Sequence, residues 1–400
     1  MTRPTSAPGR LARYGFGLAD DGGAQRAAVL LGPDGLGLWD PAGQEPVDAQ
    51  AAELLAALSR AADPDLALRQ LHRIVEAQRR AAPAPDGARP AGAGSAAASH
   101  PGHTGSVAAS RPGRVGPAGV RPDRAAPAAS GPGHAAPASR PGWADVPLLA
   151  ALAEDPGLRR RLVAVLGASS ALGDHLVANP EQWRTLRTGA DGLPPRAEGL
   201  LRPADEEPDP PAGLPPLPTG LPPVAALRQA YRLALLRIAA ADLTGGRDLE
   251  QTMTALSTLA DATLSAAYEI AVGELPAGTP EPRLAVLALG KCGGGELNYV
   301  SDVDVIFVAA TDADLPAATQ VASRLINICG QVAWQVDAAL RPEGNRGPLV
   351  RTLASHVAYY RRWARTWEFQ ALLKARPAAG DLALAREWIE ALAPLVWRAA

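Results

Sequence analysis

Lysine is almost missing from this chain: of 39 basic residues only Lys291 and Lys374 are lysines. Cysteine is equally scarce. Cys292 and Cys329 are the only two, too few for a disulfide framework, so a small secreted disulfide scaffold is excluded. An excess of one charge is also lacking, with 39 basic residues against 41 acidic ones and a net charge of −2. Nothing in that balance supports a broad nucleic-acid footprint, so any phosphate binding must be local. No apolar run is long enough to span a bilayer, and Thr2–Gly9 is polar and proline-containing, unlike a secretory leader. Together these absences predict a soluble, cytoplasmic protein without a membrane or nucleic-acid partner.

What is present is unevenly distributed. Residues 1–80 combine apolar segments (Ala27–Leu31, Gly35–Trp39) with a stretch from Ala51 to Arg79 whose leucines, from Leu54 to Leu71, follow helical spacing. Residues 81–142 turn to Ala, Pro, Gly, Ser and Arg with almost no large apolar side chain. Such a segment buries too little surface to offset its chain entropy and reads as a disordered linker. Its histidines, His100, His103 and His134, read as solvated.

Residues 143–191 predict short helices at Val146–Ala153, Pro156–Leu166 and Ser170–Asn179, with Arg159–Arg161 on an exposed side. Gln182–Leu186 reads as a helical continuation. Residues 192–223 form a second Pro-rich connector with an acidic patch, Asp205-Glu206-Glu207. Residues 224–277 predict two long helices, the second capped by Asp248 with Gln251 completing a capping box and striped by Leu249, Met253, Leu256, Ala260 and Leu264. Residues 278–380 then alternate strand, helix and strand. Ala317–Cys329 reads as a helix, Val332–Leu340 as a strand carrying Asp337, and Ser355–Lys374 as helical. Residues 381–400 begin a further helical region that stops inside an apolar pattern, as though cut. The expected fold is α+β, a helical amino-terminal region followed by a mixed sheet flanked by helices.

The most informative stretch runs from Leu284 to Val308. An apolar strand leads into a glycine-rich turn, Gly290-Lys-Cys-Gly-Gly-Gly295, and then a strand opens with Asp302-Val-Asp304. Side chains alternate along a strand, so Asp302 and Asp304 point the same way, about 7 Å apart at ~3.3 Å per residue. Unpaired, two such carboxylates repel and raise each other's pKa. Hard divalent ions such as Mg²⁺ take carboxylate oxygens and complete their shell with substrate phosphates. Gly293, Gly294 and Gly295 allow backbone N–H groups close to an anion. The turn is neither a P-loop nor a G-x-G-x-x-G fingerprint. Carboxylates beside a glycine turn suit phosphoryl or nucleotidyl transfer.

Gly290-Lys-Cys-Gly-Gly-Gly-Glu-Leu-Asn-Tyr-Val-Ser-Asp-Val-Asp-Val-Ile-Phe307 resembles the signature of the bifunctional glutamine synthetase adenylyltransferase/adenylyl-removing enzymes. These are members of the DNA polymerase beta-type nucleotidyltransferase superfamily. The chain departs from the pattern at Cys292, where leucine is usual, and at Gly295, where arginine is usual. Val336-Asp-Ala-Ala-Leu-Arg-Pro-Glu-Gly-Asn-Arg-Gly-Pro-Leu-Val350 resembles a second element, with Ala339 in place of arginine. Trp367-Glu368 and Lys374-Ala-Arg-Pro377 resemble two more. Leu166-Gly-Ala-Ser-Ser-Ala-Leu-Gly-Asp-His-Leu176 and Arg10-Leu-Ala-Arg-Tyr-Gly-Phe16 resemble actinobacterial members.

The resemblance implies a nucleotidyltransferase-type sheet in which Asp302, Asp304 and Asp337 bind Mg²⁺. It implies that Gly293, Gly294 and Ser301 hold nucleotide phosphates. Lys291, Arg341, Lys374 and Arg376 are candidate cations for phosphate or nucleotide, with Glu368 steering one of them. Tyr299 and Phe307 read as packing. Family enzymes carry two heads, and the full glycine-turn signature ending in Asp302-Val-Asp304 occurs once before Ala400. By position the chain resembles the adenylyl-removing head, which uses phosphate to take AMP from a glutamine synthetase tyrosine and releases ADP. ATP and a PII-type nitrogen signal protein are further implied partners. Two alternatives stay open: a nucleotidyltransferase with another acceptor, and a truncated, non-catalytic regulatory module that binds glutamine synthetase.

Overall fold

In the computed structural model the described residues are 11, 14–16, 23–81, 146–187 and 213–397. The described residues up to Arg80 and from Val146 onward belong to one compact unit. The sequence-predicted linker beyond Ala81, its histidines and the Asp205–Glu207 patch lie outside the described residues.

The amino-terminal part is a set of helices, several of them opened by a side-chain cap. α1 (Gly23–Leu31) leads through a two-residue hairpin, β1 (Trp39–Asp40) with β2 (Glu45–Pro46), to α2 (Ala49–Leu58) and α3 (Pro64–Ala81). The helical stretch expected from Ala51 to Arg79 is thus two helices. Asp48 accepts the Ala51 N–H to open α2, and Asp63, followed by Pro64, accepts the Leu66 N–H to open α3. α4 (Pro147–Glu154), α5 (Pro156–Ala168) and α6 (Ser170–Ala178) follow, with Asp155 capping α5 and Ser169 capping α6. A 3₁₀ turn spans Gln182–Leu186. Arg159, expected on an exposed side, is instead buried, donating to the Leu152 carbonyl and pairing with Glu53 at 2.6 Å. Buried Leu, Ile, Val and Trp side chains, including Trp39 and Trp183, fill the core among these helices.

Two long helices connect this region to the sheet. α7 (Pro223–Leu243) starts with a proline at its first turn, and α8 (Leu249–Gly273) has the complete Asp248–Gln251 capping box. Leu249 itself is 74% exposed, so the apolar stripe of α8 begins one turn later than its spacing predicted. The end of the second connector is not all solvated, because Leu214 packs into the core near Thr258. α7 contributes to two cores. Leu227, Ala230, Tyr231 and Ala234 face the sheet domain, whereas Leu236, Ala239 and Ala240 complete the amino-terminal core.

The sheet has five strands. Its order is β5 (Val336–Asp337), β4 (Val303–Ala309), β3 (Leu284–Ala288), β7 (Arg376–Gly380), with β6 (Val350–Thr352) also pairing with β4. β3 runs antiparallel to β4 and β7, while β5 and β6 run parallel to β4. β3 is apolar throughout because both its faces are covered. Val286 and Phe307 lie against α7, α8 and α10 (Leu315–Val332). Leu287, Ile306 and Val308 lie against α11 (Leu353–Arg362) and α13 (Leu382–Val396).

Three local expectations need correction. The strand expected over Val332–Leu340 is only Val336–Asp337, because α10 continues to Val332. The helix expected over Ser355–Lys374 is divided into α11 and α12 (Thr366–Ala371). After it the chain enters β7, an edge strand whose Arg-Pro-Ala-Ala-Gly sequence carries little strand signal. Among the described residues no helix is long and apolar enough to cross a membrane.

Candidate active site

The glycine turn is a single helical turn, α9 (Gly290–Gly294), held at the carboxyl end of β3. Two glycines are required by what surrounds them. Gly290 has φ of +52°, and a Cβ there would lie 2.3 Å from Asp304 Oδ2. The carboxylate therefore sits where any other side chain would be. At Gly293 a Cβ would meet the Lys374 carbonyl oxygen at 2.2 Å and that of Ala288 at 2.8 Å. Sequence reasoning placed Gly290 in the motif without a role; its signal is the short apolar run that ends on glycine immediately before the lysine.

Asp304 and Asp337 are direct partners in the parallel β4–β5 register, so their side chains leave the sheet on the same face of neighbouring strands. Burial pushes the Asp304 carboxyl above the ordinary carboxylate range, and the charges of Asp337 and Asp302 add to it, with Lys291 opposing. Asp337 also accepts the Ala339 N–H at 2.7 Å. Among the described residues no three acidic, histidine or cysteine groups gather tightly enough to enclose one metal ion. Asp304 nevertheless lies within the field of both other carboxylates. An open acidic row suits a hard divalent ion that keeps waters and substrate oxygens as its remaining ligands. The donor set fits that ion better than a closed, all-protein cage.

Asp302, Asp304, Lys291 and Ser301 line one cleft of about 580 Å³, with Tyr299, Val300, Tyr231, Arg232, Leu235, Ala333 and Trp334 as its other walls. That volume is in the usual range for small-molecule sites. The remaining expected site residues do not line it. Gly293 has its N–H committed to the Leu289 carbonyl at 2.7 Å. Gly294 is exposed at the end of the turn. Lys374 pairs with Glu296 at 2.6 Å. Arg376 clamps the turn from below, pairing with Asp261 of α8 at 2.7 Å and donating to the Cys292 carbonyl at 2.8 Å. Arg341 donates to the Ala338 and Gly347 carbonyls and organises the loop after Asp337.

Glu368 pairs with no cation among the described residues: it is buried, accepting the Tyr359 hydroxyl and the Arg365 N–H. Phe307 is fully packed, as its sequence position suggests. Tyr299 differs. It is 43% exposed on the cleft wall, and its hydroxyl donates to Asp242 of α7 at 2.8 Å. Cys292 and Cys329 are buried free thiols. Burial pushes the Cys292 thiol up to about 12, so it offers no thiolate nucleophile. The wall residues Arg232 and Trp334 were not anticipated, because they belong to distant segments that only the fold brings to the motif.

The family profile for glutamate-ammonia ligase adenylyltransferase matches residues 160–390. The chain is 52% identical to the bifunctional glutamine synthetase adenylyltransferase/adenylyl-removing enzyme of Streptomyces avermitilis over 63% of this chain and 25% of that protein. It is 40% identical to the like-named protein of Mycobacterium avium over 99% of this chain and 32% of that protein. The chain thus spans between a quarter and a third of the length of these curated relatives. The profile takes in the entire sheet, and one relative aligns along almost every residue; the chain belongs to the glutamate-ammonia ligase adenylyltransferase family.

Proposed function

We propose that this chain is a Mg²⁺-dependent nucleotidyl-transfer head that removes AMP from an adenylylated tyrosine of glutamine synthetase by phosphorolysis, releasing ADP. The observation that carries this reading is the register of Asp304 against Asp337, which sets two carboxylates side by side on neighbouring strands. Asp302, Asp304 and Asp337 are the residues that would hold the divalent ion, which when bound would neutralise charge on the reacting phosphoryl oxygens.

In the reaction an oxygen of inorganic phosphate attacks the α-phosphorus of the Tyr–O–AMP diester. A new P–O bond makes ADP, the bond to the tyrosine oxygen breaks, and the phenolate leaves and takes up a proton. Lys291, exposed beside Asp304, supplies positive charge to the phosphoryl group without a general-base role. Ser301 stands in the same wall as a hydroxyl donor. The phenol leaving group, with a pKa of about 10, requires no strong general acid. Gly290 keeps the space that the Asp304 carboxylate occupies.

Replacing both Asp302 and Asp304 by asparagine should abolish ADP release from adenylylated glutamine synthetase, a loss of more than roughly 10³-fold. The fold should persist, as judged by circular dichroism. Unchanged turnover in the double variant would overturn the assignment. Supplying ATP and unmodified glutamine synthetase in a parallel assay separates removal of AMP from its attachment.

A further inference from the structure

The basic side chains around the glycine turn divide into two groups. Lys374, Arg376 and Arg341 are engaged with Glu296, with Asp261 and the Cys292 carbonyl, and with loop carbonyls, respectively. Lys291 and Arg232 line the cleft and make no hydrogen bond or ion pair with any described residue. Lys291 has the aspartates for neighbours. Arg232 has none: it is half-buried on α7, between Tyr231 and the apolar wall formed by Leu235, Ala333 and Trp334. Its positive charge reaches outward, adding to the burial that lowers the pKa of His175.

A half-buried guanidinium with no carboxylate partner among the described residues, facing the cleft that also holds Asp302 and Asp304, is suited to an anion. Its planar fork matches two phosphate oxygens at once. Its base is rigid, because α7 is packed into both the sheet core and the amino-terminal core. We propose that Arg232 is the anion anchor of this cleft, binding a phosphoryl oxyanion that comes either as free orthophosphate or as the phosphate chain of an adenine nucleotide. This rests on the nucleotidyl-transfer reading given above. It adds a binding residue contributed by a helix outside the motif, more than fifty residues away in sequence.

The test uses the full chain and three proteins: wild type, Arg232→Gln and Arg232→Lys. Adenylylated glutamine synthetase is the substrate, and the KM for orthophosphate is measured beside the inhibition constant for ADP. Arg232→Gln should weaken one of these constants roughly 10- to 100-fold with far less change in kcat, as expected for a lost charge-assisted contact. Arg232→Lys should recover part of that loss, and the melting temperature should not move, since no hydrogen bond within the chain is removed. A change confined to orthophosphate identifies the free anion as the ligand; a change confined to ADP identifies the nucleotide chain. If wild type releases ADP and Arg232→Gln matches it on both constants, the assignment of Arg232 is overturned while the reaction stands. If kcat and melting temperature fall together with both constants intact, Arg232 is structural and the proposal is overturned. A wild-type chain that releases no ADP overturns the reaction and this proposal with it.

Discussion

Individual side chains carry burdens in this molecule that their neighbours in sequence do not reveal. His356 is the clearest case. It is 1% exposed, with its ring 5.8 Å from Trp388 and 6.3 Å from Tyr360, and it donates to the Phe307 carbonyl, leaving Nδ1 without a partner. Burial, with Arg351 nearby, lowers its pKa to about 3. The folded state therefore keeps the ring neutral where the unfolded chain takes up a proton, at about pH 6.5. A depressed histidine pKa means that the unfolded state binds more protons, so stability is complete above about pH 6.5 and is lost as pH falls toward 3. Between pH 7 and pH 5 this one group should cost about 2 kcal/mol. Urea unfolding midpoints at those two pH values should differ accordingly in wild type, and the difference should shrink in His356→Gln.

At the scale of one element, the five-residue turn α9 separates packing from chemistry within three positions. Gly293→Ala would press a methyl group against two main-chain carbonyls that cannot swing aside, and should destabilise the fold by about 1–3 kcal/mol. Gly290→Ala carries the strain of a positive φ, about 1 kcal/mol, and would also collide with the Asp304 carboxylate. On the proposed reaction, its loss of ADP release should far exceed its shift in urea midpoint, whereas Gly293→Ala should show the reverse order. Equal ratios in the two variants would contradict this division. The turn was legible in the sequence because glycines, a lysine and two aspartates stand in one contiguous run. Asp337 was placed on a neighbouring strand by the resemblance, and the parallel register bears out that placement. Its strand shrank to two residues in part because the apolar spacing of the preceding helix runs on through Cys329 to Val332. β7 was missed because Arg-Pro-Ala-Ala-Gly has no β-branched or aromatic residue and no apolar alternation; tertiary pairing with β3 makes it a strand. Lys374, Arg376 and Arg341 show a different limit. Their charges were visible, but their counterions and carbonyl partners come from positions up to 115 residues away.

Across the whole molecule the helical region and the sheet domain share one structural member. Leu236 is fully buried in the amino-terminal core, yet it lies on the same helix as Tyr231 and Arg232, which border the cleft. Leu236→Ala should cost about 2–5 kcal/mol. Because both cores depend on α7, the buried tryptophans of the amino-terminal core and Trp388 beside the sheet should report one coincident unfolding transition, shifted by the same amount. Separate transitions would show that the two regions are energetically independent. The double membership of α7 has a mechanical meaning as well. Asp242, on its last turn, receives the Tyr299 hydroxyl, so the rod that is seated among the amino-terminal helices also grips the segment leading into the paired aspartates. One helix thus ties the packing of the amino-terminal core to the seat of Tyr299, three residues before Asp302.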